Sequence, residues 1–242
     1  MLDDTAKRRQ MEAFEAMAGR CREPSAPATP EAPSKLRAVK TRWAGEGKGL
    51  TGERASPATR RLPPGQHLVR DFPVVDLGVQ PHVTPKDWSL SITGAVHHPV
   101  TWNWDTLSRQ PREERVNDIH CVTFWSRFDN EWSGVPVRHL LSTVKPRIEA
   151  RFVIIRGFDG YTTNLPIEVL DDDAVLLATH WQGAPLTREH GAPVRLVVPG
   201  RYFWKSAKWI RSMMFADRDL KGYWESHGNH NQGDPWLEQR YG

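Results

Sequence analysis

From Trp88 onward the chain is built of short apolar or alternating segments closed by glycine or proline, with neither an internal repeat nor a regular strand–helix–strand alternation. That pattern points away from a parallel α/β fold and toward an α+β domain with mixed sheets. Trp88-Ser89-Leu90-Ser91-Ile92 alternates apolar and polar residues before Gly94, as a half-buried strand and turn require. Strands are also expected at Val116–Val122, Phe152–Ile155, Val194–Val198 and Trp209–Phe215. Asp159-Gly160 makes a turn into another extended stretch, and Asp173–Thr179 reads as either strand or helix. Trp102–Leu107 is expected to be a short helix. Pro136–Val144 is another, with proline in its first turn and Val137, Leu140 and Leu141 on one face.

Residues 1–60 differ in kind. A helix is expected over Ala6–Arg20; Pro24, Pro27, Pro30 and Pro33 then interrupt a small-residue stretch that cannot hold a packed core. We read 1–60 as an extension, partly disordered or wrapping the surface, and 61–242 as the folded domain, capped by its Trp-, His- and Gly-rich tail. The acids in Met11-Glu12-Ala13-Phe14-Glu15 interrupt what a secretory signal would need as an apolar run. No segment is long and apolar enough to insert in a membrane. A net charge of +4 is too small an excess to argue for nucleic acid. The only two cysteines, Cys21 and Cys121, do not form a disulfide framework, so a cytoplasmic location is expected.

Cys121 lies at the end of the strand expected over Val116–Val122 and is followed at once by aromatic and small polar residues. Such a thiol is either an inert packing group or a soft metal ligand. Some seventy residues on, the run His190-Gly191-Ala192-Pro193-Val194-Arg195-Leu196-Val197-Val198-Pro199-Gly200 continues to Lys205-Ser206-Ala207-Lys208-Trp209. Two lysines and a serine within four residues, with their stems on Tyr202-Phe203-Trp204 and Trp209, form a loop suited to an anion such as a phosphate.

Together, His-Cys-Val-Thr-x-Trp-Ser and His-Gly-x-Pro-x-Arg-Leu-Val-Val-Pro…Trp-Lys-Ser-Ala-Lys-Trp resemble the molybdopterin-binding domain of the sulfite oxidase family. Within it, the chain is similar to the short bacterial sulfite oxidase-like oxidoreductases, as are Pro63–Leu68 and Gly233-Asp234-Pro235-Trp236. The resemblance implies a molybdenum–pyranopterin dithiolene cofactor, with Cys121 as the protein's ligand to the metal. It implies contacts to the pterin group from His67, Arg70, Gly157, His190 and Arg195, and a loop along it made by Lys205, Ser206, Ala207 and Lys208. Arg70, Arg127 and Asn229 are the candidates for the substrate side. His120 falls on the strand face opposite Cys121 and is expected to be structural.

Two departures bear on substrate. The ligand cysteine is followed by Phe124-Trp125-Ser126-Arg127, where sulfite oxidases place a short basic run. Asn229 stands in Gly228-Asn229-His230, where this subgroup has a tyrosine. The expected activity is two-electron oxygen-atom transfer on a small oxyanion, sulfoxide or related molecule, with a separate electron donor or acceptor protein and no haem in this chain. The alternative is a carrier or storage protein for the cofactor, or an inactive interaction module of the same fold. Other signals fall away. His227, His230 and Glu225 lack a recognised ligand spacing, and Asp171-Asp172-Asp173 lacks the spaced oxygens of a calcium loop. No phosphate-binding GxxxxGK[ST] or dinucleotide motif is present.

Overall fold

Leu90 and Ile92 point into the core from a strand whose serines stay half exposed, and around that strand the first of two sheets is laid. The computed structural model describes residues 61–242; the helix expected over Ala6–Arg20 and the rest of the 1–60 extension lie outside the described residues. In chain order the strands are β1 (His67–Leu68), β2 (Ser89–Gly94), β3 (Val100–Asn103), β4 (Glu113–His120), β5 (Trp125–Pro136) and β6 (Phe152–Gly157). They continue as β7 (Thr162–Pro166), β8 (Leu176–Trp181), β9 (Ala184–Pro185), β10 (Arg195–Val197) and β11 (Ile210–Ala216). Four short helices join them: α1 (Trp104–Ser108), α2 (Val137–Val144), α3 (Ile167–Leu170) and α4 (Tyr223–Ser226).

One sheet has the order β3-β2-β11-β6-β7; the other runs β1-β5-β8-β10, with β4 on β5 and β9 on β8. Most pairs are antiparallel, but β2 runs parallel to β11 and β1 parallel to β5. This is the mixed-sheet α+β architecture that the sequence pattern requires, formed as one domain. In the second sheet β8 and β10 are buried on both faces, and their side chains show how. On β8, Leu177 joins the core beneath the first sheet, while Leu176 and Ala178 face a second core containing Trp125, Trp132, Phe203 and Cys121. Leu196 and Val197 on β10 divide the same way. Strands buried on both faces read as apolar runs rather than alternations, so the Asp173–Thr179 stretch is ambiguous in sequence and a strand here.

Two boundaries differ from expectation. Trp102 lies in β3, paired with Leu90; α1 begins only at Trp104, because the Asn103 side chain accepts from Thr106 N at 2.9 Å and caps it. Cys121 lies in the turn just beyond β4 rather than in the strand.

Gly94 ends β2 with φ +88°, and a Cβ there would stand 2.1 Å from the Phe215 carbonyl oxygen on β11. Gly94→Ala is therefore expected to cost about 3 kcal/mol or more of stability, as left-handed strain and backbone overlap add. Chemical denaturation checks this; an unchanged midpoint would show that the turn relaxes freely.

Candidate active site

The turn from Cys121 to Trp125 is closed by Cys121 N donating to Trp125 O at 2.8 Å and Phe124 N donating to Cys121 O at 3.1 Å. Phe124 sits at its apex with φ +69°. Two outside side chains hold this turn. Gln66 Nε2 donates to Cys121 O at 3.0 Å, and Arg240 donates to Val122 O at 3.0 Å from the chain's tail. The Arg240 guanidinium also lies 4.1 Å from the centre of the Phe124 ring. The turn's conformation is thus imposed from outside, which is what a residue forced to positive φ requires. The buried Cys121 thiol is pushed up in pKa by desolvation, opposed by hydrogen bonds from Thr123 and by the charge of Arg240.

Cys121 opens on a cleft enclosing about 830 Å³ with its mouth included. His190, Arg195, Ser206, Ala207 and Lys208 line the cleft with it, as does Asn229. His190 ends a short 3₁₀ turn (Arg188–His190), and its ring stacks on Phe72 at 3.9 Å between centroids. Arg195, only 2% exposed, donates to His190 O at 3.0 Å and Ser206 O at 2.9 Å, with its guanidinium 4.4 Å from the centre of the Phe203 ring. Among the described residues no carboxylate pairs with it, and burial lowers its pKa to about 9. Ser206 Oγ accepts from Val198 N at 2.9 Å, and Ala207 O accepts from Leu196 N at 2.9 Å, so the loop is laced along β10. Lys208 Nζ donates to Glu189 O at 2.8 Å, lies 3.7 Å from Asp76 and 4.5 Å from the centre of the Trp209 ring, and is lowered to about 8 by burial.

Five candidates lie elsewhere. The Lys205 ammonium is fully buried away from the cleft, 2.6 Å from Glu225, and donates to the Asn164 carbonyl at 2.9 Å. The anion-binding loop therefore offers one lysine, not two. Arg127 is committed to Arg70 O at 3.1 Å and Asn130 Oδ1 at 2.6 Å, with its guanidinium 4.7 Å from Trp181. Arg70 is exposed, and neither arginine lines the cleft. His67 pairs with Trp125 through β1. Gly157 supplies space behind the wall: a Cβ there would lie 2.4 Å from Asp159 Oδ1 and 2.8 Å from Lys208 O. His120, which donates to or accepts from Ser126 Oγ at 2.8 Å, is buried outside the cleft. Among the described residues no three metal-ligating side chains gather, and Glu225 faces inward to Lys205, away from any role with His227 and His230.

The cleft also contains residues that sequence reasoning missed: Phe72, Asp76, Trp125, Asp159 and Tyr161. Asp159 was readable only as a turn former; burial raises its carboxyl to about 6. The indole Nε1 of Trp125 is buried without a hydrogen-bond partner. Arg195, which has no carboxylate partner among the described residues, and Lys208, bonded to Glu189 O beside Asp76, fit an anionic ligand rich in acceptors. A soft sulfur at the same cleft fits a metal held largely by sulfur.

Acid should loosen this region. Desolvation depresses His120 and His190 to about 4, aided at His190 by Arg195 and Lys208, and resisted at His120 by Asp118. As pH falls from about 6.5 to 4, the unfolded chain takes up these protons and the folded chain does not, so stability falls. Asp159, protonated early in the folded state, opposes this by one group between about 6 and 4. The net expected loss is roughly 3 kcal/mol, or about 6–12 °C in Tm. A thermal melt at pH 7 and at pH 4.5 measures it; equal Tm values would mean both histidines protonate without cost.

Comparison with known proteins agrees with this arrangement. Residues 77–224 match the model of the oxidoreductase molybdopterin-binding domain. An uncharacterized oxidoreductase of Bacillus subtilis, YuiH, is 42% identical across 78% of this chain and 96% of its own length. The protein-methionine-sulfoxide reductase catalytic subunit MsrP of Burkholderia mallei is 32% identical over 62% of this chain, which spans only 50% of that relative. The fold matches that of the sulfane dehydrogenase SoxCD from Paracoccus pantotrophus, with a TM-score of 0.55 and 20% identity over 81% of this chain and 55% of that one. A chain that carries this match over most of its folded length, with a cleft suited to the cofactor, belongs to the family of molybdopterin-binding oxidoreductases related to sulfite oxidase, and is an enzyme of that family.

Proposed function

We propose that the chain reduces a small neutral oxide, a sulfoxide or N-oxide, at a molybdenum–pterin group anchored by Cys121, with electrons delivered by a separate redox protein. The observation that carries this reading is where the cations are. Among the described residues, Arg195 and Lys208 are the only arginine or lysine side chains lining the cleft. Both are tied to carbonyl groups of the segment suited to the cofactor's phosphate and pterin. Around Cys121 the wall is Phe72, Val122 and Trp125, with the Asn229 amide nearby. A doubly charged oxyanion such as sulfite would enter an aromatic pocket with no guanidinium left over for it. A neutral oxide needs only one or two donors, and the Asn229 amide on the cleft wall can provide one.

When bound, the pterin-held metal supplies the two-electron oxygen-transfer chemistry. In the net reaction a sulfoxide takes two electrons and two protons; its S–O bond breaks and the oxygen leaves as water. The protein's share is to anchor through Cys121, orient the oxide oxygen at Asn229, and keep water off the sulfur side with Phe72 and Trp125. The name of the Burkholderia relative, a catalytic subunit of a protein-methionine-sulfoxide reductase, favours both the sulfoxide and a separate electron donor. A chain with only two cysteines and no disulfide framework suits a reducing, cytoplasmic setting, which we propose with it.

The test is purification from a host that makes the cofactor, followed by assay of molybdenum and released pterin. Reduced-dye oxidation by a dialkyl sulfoxide and by an N-oxide is then compared with sulfite-dependent dye reduction. Near-stoichiometric metal and pterin are expected, with kcat/KM for an oxide at least about tenfold above that for sulfite. A preference for sulfite would sink the substrate assignment, and absence of pterin would sink the whole reading.

A further inference from the structure

We infer that Thr123 is a positioning residue that sets the electron-donating strength of the Cys121 sulfur; the inference rests on Cys121 being the metal ligand. Thr123 Oγ1 lies 3.1 Å from Cys121 Sγ, within hydrogen-bond reach for sulfur, and both residues are buried, at 7% and 6% exposed. The backbone N–H groups of Val122 and Thr123 are directed at the same sulfur. The turn thus forms a small nest of donors around it. Its apex at Phe124 is held in the left-handed region, and Arg240 and Gln66 fix it from outside.

A cysteine bound to metal is a thiolate and has no proton to give, so in the loaded protein the Thr123 hydroxyl must be the donor of this pair. Threonine is stiff at χ1, so the hydroxyl is held on the sulfur rather than swinging away. A donor to the sulfur withdraws charge that would otherwise flow to the metal. It therefore favours the reduced metal and raises the potential at which the site cycles. For an enzyme that must accept electrons before handing them to an oxide, that adjustment decides which redox partners can drive it. Thr123 stands in the His-Cys-Val-Thr-x-Trp-Ser motif, but nothing in the sequence says that its hydroxyl reaches the sulfur.

The experiment compares the full-length, cofactor-loaded parent with Thr123→Val and Thr123→Ser, with metal and pterin content measured on each preparation. The readout is the midpoint potential of the metal's one-electron couple, followed by its paramagnetic signal at a single pH. Valine keeps the shape and branching but has no proton; it is expected to lower the potential by at least a tenfold change in the one-electron equilibrium, about 59 mV. Serine keeps the donor and is expected to return the parent's value. Should the valine variant not accumulate in folded form, Thr123→Ala carries the same expectation. An unshifted potential at equal loading in the donor-free variant would overturn the inference, as would a serine variant shifted as far as valine. A parent protein that carries no metal or pterin would instead overturn the ligand reading beneath it.

Discussion

Cys121→Ser is expected to abolish turnover while most of the pterin remains bound. The two side chains are nearly the same size, and position 121 is buried in a turn whose backbone is held by Gln66, Trp125 and, through Val122, by Arg240, so the fold has no reason to move. The chemistry does change. A serine hydroxyl is a hard donor that stays protonated near neutral pH, whereas a thiolate matches a metal already surrounded by sulfur. A loss of at least about 1,000-fold in rate, equivalent to about 4 kcal/mol in the barrier, is the expected scale. Pterin retention depends on other residues, chiefly Arg195, Lys208 and the loop laced along β10. Dye-coupled turnover with parallel measurement of released pterin separates the two effects; a fully active serine variant would mean that the sulfur does not ligate the metal.

Lys208→Ala should show the opposite split, with weaker cofactor retention and an apo protein of nearly unchanged stability. The ammonium is buried, and its desolvation offsets the gain from Asp76 and the Glu189 carbonyl, so removing it costs the empty protein little. Toward an anionic ligand the same ammonium contributes a charged hydrogen bond of about 1.5–3 kcal/mol, or roughly 10- to 100-fold in affinity. Pterin content after dialysis, read beside a thermal melt of the apo form, measures both. Unchanged pterin content would remove Lys208 from the cofactor's surroundings.

The contrast between Lys205 and Lys208 shows how far sequence carries. Both motifs were legible because each is local: a strand, a tight turn and the residues on it come from neighbouring positions. Three residues apart on one loop, the two lysines look equivalent. What separates them is Glu225, twenty residues downstream of Lys205, which accepts from Thr163 Oγ1 and Trp204 Nε1 at 2.9 Å each and draws Lys205 inward. No local pattern foretells that partner. Arg127 is held off the cleft in the same way, by Asn130, Trp181 and the Arg70 carbonyl, none of which its own segment announces. Asp76 and Asp159 reach the cleft from loops whose sequences say only that the chain turns. The strands, by contrast, were readable wherever one face met the core and the other met water, as in β2, and ambiguous where both faces were buried, as in β8.

The hold that the tail keeps on the Cys121 turn also sets an order of events during synthesis. Arg240 lies 118 residues downstream of Val122, and Tyr241 bridges Asn229 beside the same cleft. At ribosomal speeds of about 5–20 residues per second, the turn waits ~6–24 s after its own translation before the guanidinium that braces it exists. Throughout that interval Gln66 alone holds the turn from outside, so the pocket is finished only after translation has passed residue 240.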